Sequence, residues 1–424
     1  MKRPGASDFR RYRMIVFLLI GLIYVFVYIH RNGTAVVAVD LMEDLGAEGA
    51  LLGLLAGGYF YSYAFMQLPT GMLSDSWGVR KTVAATTMIA GIGSIFFGMA
   101  LDVEMAIIGR VIVGIGVSTV YVCGLKFISQ WYRKDEFATM NGVFIALGGV
   151  GLLMSTMPLA FLSDQFGWRA PFLIIGLISL LLGVAMFHLA RDSPTDMGFE
   201  PIHAHRERPT NSSLFKGFRR IVTTWEFWPP SIWLFCSMSI YISFGGLWGG
   251  PYLIHMYGMS KVEAGRVLSS IAFGMILGSP FLGYLSDKIL RKRRIVVVFC
   301  AALLMLDMGL MAMFVDSLPT VALYACFFGM GMFAIGINPL IYASIKDAFP
   351  LELSGTSTGL ANFFPFIGGA IFQPFLGYML ERGGMVGDAY TAEGYGGALV
   401  VLLLIAVVGF VATVLLKERP PHHS

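Results

Sequence analysis

Residues 71–82 read GMLSDSWGVRKT, and residues 283–294 read GYLSDKILRKRR. Both place a glycine two positions before a Leu-Ser-Asp triplet, and both carry basic residues further on. The correspondence extends outward: Gly46 matches Gly258 and Gly53 matches Gly265, each displaced by the same 212 positions that separate Gly71 from Gly283. A constant displacement through a span and its flanking loops marks an internal duplication. Composition says what is duplicated. Of 424 residues, 56% are apolar and 13% charged, and mean hydropathy is +0.73, too hydrophobic for a soluble domain. Runs of about 20 apolar residues, enough to cross a hydrocarbon core about 30 Å thick, lie near 14–37, 50–73, 82–101, 104–129, 137–162, 170–190, 227–255, 264–286, 295–315, 319–345, 355–379 and 396–416. The prediction is an all-α polytopic membrane protein of twelve transmembrane helices in two pseudo-symmetric six-helix bundles. Residues 1–190 and 227–424 form the bundles, and 191–226 the cytoplasmic linker.

The first apolar run has no small-residue cleavage site and continues as a full span, so both termini are expected in the cytoplasm. With that orientation the outer loops and helix ends hold only Arg169, Lys261, Arg266 and Arg382, while clusters such as Arg10-Arg11, Arg80-Lys81 and Arg291–Arg294 fall inside. The net charge of +4 then follows from topology in a cell inner membrane and requires no nucleic-acid partner. Cys123, Cys236, Cys300 and Cys326 fall within spans without metal-ligand spacing and read as small packing residues. With no Walker A loop, metal-spaced His/Cys cluster or nucleophile elbow, neither an enzyme nor a cofactor or metal site is expected. Within the linker, SSLFKGFRRIV (212–222) reads either as an interfacial helix or as disordered chain.

The chain resembles the major facilitator superfamily over nearly its whole length. GMLSDSWGVRKT is similar to that family's loop signature between helices two and three, through Gly71, Leu73, Asp75, Gly78, Arg80 and Lys81. GRVIVGIG (109–116) resembles its arginine-plus-glycine signature of helix four, and FGWRAPF (166–172), SPTDMG (193–198) and the basic cluster from Arg291 after Asp287 complete the pattern. The resemblance implies a gating network formed by Asp75, Arg80 and Lys81, with Arg110, Asp287 and Arg291. Membrane topology alone is the other reading of the loop charges, and a structural role within the bundle the other reading of Arg110. The Gly-Pro pair usual in the fifth helix of drug-proton antiporters is missing: ALGGVGLLMSTMPLAF (146–161) has only Pro158, after a methionine.

YIHRNGTAVVAVDLMEDLG (28–46) is similar to the first helix of anion-cation symporters and organophosphate antiporters, whose arginine binds the anionic group of the substrate. The corresponding residue is Arg31. Helical geometry puts Tyr24, Tyr28 and Arg31 on one stripe, with His30 about 100° away. Two phenols ending in a guanidinium make poor lipid-facing surface and good lining for an anion-selective cavity. The competing reading is that Arg31 snorkels to the outer interface. Tyr59, Tyr63 and Gln67 share a face of the second span, and Tyr121 lies on the stripe of Arg110. Tyr241 and Trp248 sit in a glycine-loosened seventh span able to bend as a gate, Asn338 precedes Pro339, and Asn362 shares a face with Phe366 and Gln373. For each aromatic, core packing is the alternative to ligand contact. The chain departs from those symporters at His30, where they often carry an aspartate involved in proton coupling; because an imidazole can titrate near neutral pH, His30 is the coupling candidate here.

The reading is a monomeric secondary transporter that moves a small organic anion (a carboxylate, sugar acid or phosphate ester) by alternating access, coupled to protons or to exchange. Efflux of amphipathic or zwitterionic compounds is the alternative transport reading. A non-transporting receptor on the same fold is the alternative from another class.

Overall fold

The computed structural model describes residues 6–47, 49–199 and 218–417. Among them, twelve helices are long and apolar enough to cross a membrane. They are α1 (Phe9–Val36), α2 (Gly49–Gln67), α3 (Gly78–Gly98), α4 (Val103–Trp131), α5 (Thr139–Phe166), α6 (Arg169–Leu189), α7 (Trp225–Tyr257), α8 (Lys261–Leu290), α9 (Arg293–Met313), α10 (Thr320–Ala348), α11 (Thr356–Gly383) and α12 (Ala392–Val414). The all-α, twelve-span expectation holds, with one small addition: β1 (Met385–Val386) and β2 (Ala389–Tyr390) pair antiparallel in a hairpin before α12. Of the linker stretch 212–222, residues 212–217 lie outside the described residues, and 218–223 are helical.

The chain packs as two units. The first comprises residues 1–33 and 58–207, the second residues 34–57 and 208–424, so α1 and α2 each contribute to both. In the first unit α3 is approached closely by two neighbours, α4 and α6. A side chain at Gly91 would overlap the Gly176 carbonyl of α6, and one at Gly116 the backbone of Ala90. Such small-residue faces let helix backbones meet where lipid supplies no hydrophobic drive. Pro158 at the start of the helix Met157–Phe166 interrupts α5, whose preceding segment ends at Met154.

In the second unit the repeat-related glycines Gly46 and Gly258 do the same job. Each ends a helix in the left-handed conformation, at φ +61 and +62, which a residue with a Cβ avoids. Asp40, in the short helix Ala38–Leu45, pairs with Lys261 at 2.6 Å. The N-terminus of α2 is capped from elsewhere in the unit: Ala50 N donates to the Glu381 carboxylate at 3.1 Å, and Gly49 N to Tyr390 Oη. Gly53 and Gly377 allow that approach, since a side chain at either would strike backbone of the facing helix. Three stretches of this unit widen to π-helix: Tyr241–Trp248 in α7, Leu285–Leu290 in α8 and Met330–Ile335 in α10. The four cysteines are free and buried.

Candidate functional site

In the first unit α1, α2, α4 and α5 bring one arginine and five of its predicted aromatic partners together. Arg31 is 7% exposed. Its guanidinium lies over the ring of Tyr28 at 4.9 Å and that of Tyr63 at 5.2 Å, and its Nε donates to Tyr59 Oη at 3.4 Å. Tyr59 and Tyr63, one turn apart on α2, stack at 5.9 Å. Tyr24 meets Tyr28 edge-on at 5.4 Å and stacks on Tyr121 at 5.7 Å. A guanidinium removed from water is stabilised by aromatic faces and a phenol oxygen, which together replace part of its hydration. The α1 stripe thus appears as the i, i+4 and i+3 contacts that its spacing demands.

Two supports of this cluster are absent from the sequence reading. Phe144 of α5 stacks on Tyr24 at 4.4 Å. Gly148 faces the same rings, and a Cβ there would come within 2.7 Å of Tyr28 and 2.8 Å of Tyr24. Both lie in or beside the glycine-rich ALGGVG stretch; the glycine spacing was the only available signal, and it does not say which helix is approached.

Arg110 is buried more deeply than Arg31, at 1% exposure. Its Nη1 donates to the carbonyl of His30 at 2.6 Å and its guanidinium lies over the Tyr59 ring at 4.8 Å, while Nε and Nη2 have no hydrogen-bond partner among the described residues. Tyr59 therefore meets one guanidinium with its hydroxyl and the other with its ring face. Arg110 fixes α1 at the residue preceding Arg31. His30 points elsewhere: its imidazole Nε2 is 3.1 Å from Ser179 Oγ of α6, in a fully buried setting. Gln67, on the α2 stripe, donates to the Ser118 carbonyl at 3.5 Å.

At the loop after α2, the side chain of Asp75 lies outside the described residues, and Gly71 lies in the helix running Gly49–Ser76. The described carboxylate at this turn is Asp192, which the sequence reading did not single out. Gly78 has φ +81, and a Cβ there would overlap the Asp192 carboxylate, which accepts from Arg80 N at 2.8 Å. The Arg80 guanidinium lies over Phe187 at 4.9 Å, and Lys81 is exposed. Nearby, Arg13 donates to both oxygens of Glu136, at 3.1 and 2.8 Å, and this pairing holds the Glu136 carboxyl below its usual range.

The second unit assembles its candidates differently. Tyr241 and Trp248 bound the π-helical stretch of α7, and both are buried. Trp248 Nε1 donates to the Gln373 carbonyl at 2.9 Å, and the Gln373 side-chain amide donates to the Ile242 carbonyl at 3.0 Å. A π-helical turn shifts the ladder of backbone bonds, and the Gln373 amide supplies a donor to a carbonyl inside that shift. Asn338 and Asn362 do not meet: Asn338 Nδ2 faces Met238 Sδ at 3.3 Å, and Asn362 Oδ1 accepts from Tyr342 Oη at 2.9 Å. The side chain of Asp287 lies outside the described residues, and Arg291 adopts φ +52.

Twelve spans with an arginine and tyrosines buried in one unit define a polytopic membrane protein of transporter type. The family model for the Major Facilitator Superfamily matches residues 20–373, and the chain belongs to that superfamily. Among curated relatives, it is 25% identical to the probable hexose phosphate transport protein of Chlamydia pneumoniae, over 96% of this chain and 92% of that protein. It is 24% identical to the probable galactarate/D-glucarate transporter GudP of Bacillus subtilis (97% and 95%). It is also 23% identical to the membrane sensor protein UhpC of Escherichia coli (86% and 85%).

Proposed function

We propose that the protein is a secondary active transporter that carries a small organic anion (a sugar phosphate, sugar acid or other carboxylate) across the inner membrane by alternating access. The observation that carries this reading is the Arg31 guanidinium, buried against Tyr28, Tyr59 and Tyr63. A buried arginine offers a planar fork of donors to a carboxylate or phosphate, and a low-dielectric wall strengthens that attraction. The relatives named for hexose phosphate and for galactarate/D-glucarate support the anionic class. Coupling to protons or to exchange, both termini in the cytoplasm and action as a monomer belong to this proposal. In it Asp75, Arg80, Lys81, Asp287 and Arg291 serve the cytoplasmic gate, and His30 is the coupling group.

The test is thermal stabilisation of the purified protein by a panel of organic anions, cations and neutral solutes, alongside Arg31→Gln. Ligand that binds the folded state raises the melting temperature by mass action. Stabilisation by anions that is lost in the variant is expected. Stabilisation only by cationic or neutral compounds, unchanged in the variant, refutes the assignment and favours efflux. Kinship to a membrane sensor favours one second reading, a receptor that binds the same anion without moving it. Vesicles that bind the stabilising anion but never accumulate it would identify that case.

A further inference from the structure

The two repeats turn differently after their second helix. The first uses Gly78 at φ +81; the second uses Arg291 at φ +52, the one non-glycine residue with positive φ among the described residues. A side chain disfavours that conformation, so an arginine held there is held for a reason.

Around this turn the second unit opens a cavity of about 670 Å³, whose wall includes Lys288, Arg291, Arg293, Arg294 and Lys417 against two carboxylates, Glu226 and Asp347. Arg293 pairs with Asp347 at 2.6 Å and Lys417 with Glu226 at 3.3 Å. Lys288 and Arg291 are exposed and, among the described residues, have no ion pair. Among the described residues of the wall, cations outnumber carboxylates by five to two. The start of α9 adds to that excess: its N-cap residue Lys292 makes no side-chain cap, no acidic residue lies in the first turn, and Arg293 and Arg294 are its first two residues. A helix N-terminus carries positive potential and orphan N–H donors, so basic residues there repel one another and a bound anion relieves the repulsion. The rest of the wall includes the indole of Trp225 and Leu415, each about half exposed.

We propose that this cavity binds the phosphate headgroup of an anionic phospholipid. The phosphodiester meets Lys288, Arg291 and the N-terminus of α9, and the glycerol and upper acyl carbons lie along Trp225 and Leu415. Free phosphate shares the anionic half of this chemistry, but the apolar wall and half-exposed indole suit a lipid at headgroup depth.

The experiment uses the full chain in a neutral detergent, with melting followed as phosphatidylglycerol, phosphatidylcholine or inorganic phosphate is added. Phosphatidylglycerol is expected to stabilise, with little effect from the other two. Lys288→Gln and, separately, Arg291→Gly should each shift the lipid response to about tenfold higher concentration, the loss of one charge-assisted contact. Arg291→Gly removes the charge while suiting the left-handed backbone, so it carries the test if Lys288→Gln fails to fold. An unchanged phosphatidylglycerol response in a folded variant overturns the proposal. So does stabilisation by phosphatidylcholine or by inorganic phosphate equal to that by phosphatidylglycerol.

Discussion

The cluster around Arg31 and the cluster around Trp248 are made of opposite materials. The first unit buries two guanidiniums, Arg31 and Arg110, against the hydroxyl and ring of one tyrosine and the faces of its neighbours. The second buries an indole and an amide that bond to backbone carbonyls. All three π-helical stretches among the described residues belong to the second unit. Buried charge demands a fixed cage, because each lost partner leaves a desolvated cation. A π-helical turn has slack in its hydrogen-bond ladder and is where a helix bends. Under the proposed function the difference is a division of labour: charge recognition in one unit, and compliance in the helices of the other.

The widest separation is expected between Arg31→Gln and Gln373→Leu. Arg31→Gln should abolish stabilisation by the anionic ligand and leave the unliganded melting temperature nearly unchanged, since it removes a charge that folding must desolvate. Gln373→Leu should do the reverse. It strips the Ile242 carbonyl of a donor inside a buried helix pair, a loss of about 1–3 kcal/mol, while anions remain preferred over cations. Both are read from one set of melting curves with and without ligand. If Gln373→Leu alone erased the anion preference, the division between the two units would be wrong.

Tyr59→Phe sharpens the same comparison within the first unit. It deletes the hydroxyl 3.4 Å from Arg31 Nε and keeps the ring under Arg110 at 4.8 Å. The cost should be about 1 kcal/mol in ligand affinity, roughly fivefold, with little loss of stability. A stability loss as large as that of Gln373→Leu would mean that the hydroxyl chiefly solvates the buried guanidinium and does not orient it for a ligand.

How far the sequence reveals this site depends on whether one helix or two make each contact. Tyr24, Tyr28 and Arg31 are placed by the period of a single helix, as are Tyr59 and Tyr63, and their mutual contacts follow from spacing. The partners Phe144 and Gly148, the Ser179 hydroxyl beside His30, and the Asp192 carboxylate beside Gly78 come from other helices or from the chain beyond α6, and no periodicity ties them to their targets. Asn338 and Asn362 show the same limit in reverse: one was marked by the proline beside it and the other by the face it shares with Phe366 and Gln373, yet their bonds go to Met238 and Tyr342. Glycines announced that α7 was loosened, but the π-helical form of that loosening depends on which carbonyls the neighbouring Gln373 can reach. The twelve spans were legible because twenty apolar residues leave the chain no other way to satisfy its backbone in lipid. Their ends were less so: α8 continues to Leu290, past the expected 286, because a π-helical turn carries it through the polar Ser286–Lys288.

The smallest effect belongs to an ion pair of the first unit that lies outside the Arg31 cage, which makes it the control for exposed charge. Arg13 holds the Glu136 carboxyl below its usual range through paired hydrogen bonds, with the Arg133 backbone N–H assisting. A carboxylate depressed on folding stabilises the protein above its unfolded pKa, near 4.3, and that contribution is lost as pH falls through the depressed value. The Glu136 side chain is 33% exposed, so solvent screens the pair and the stabilisation should be only about half a kcal/mol. Glu136→Gln should therefore melt about a degree lower than the parent at pH 7, and the gap should close as the pH is taken below 4. Arg13 also lies over the Tyr132 ring at 4.5 Å, a contact the variant keeps. A gap that stays constant with pH would show that the charge of Glu136 carries none of the difference, and that this exposed pair has no electrostatic weight in stability.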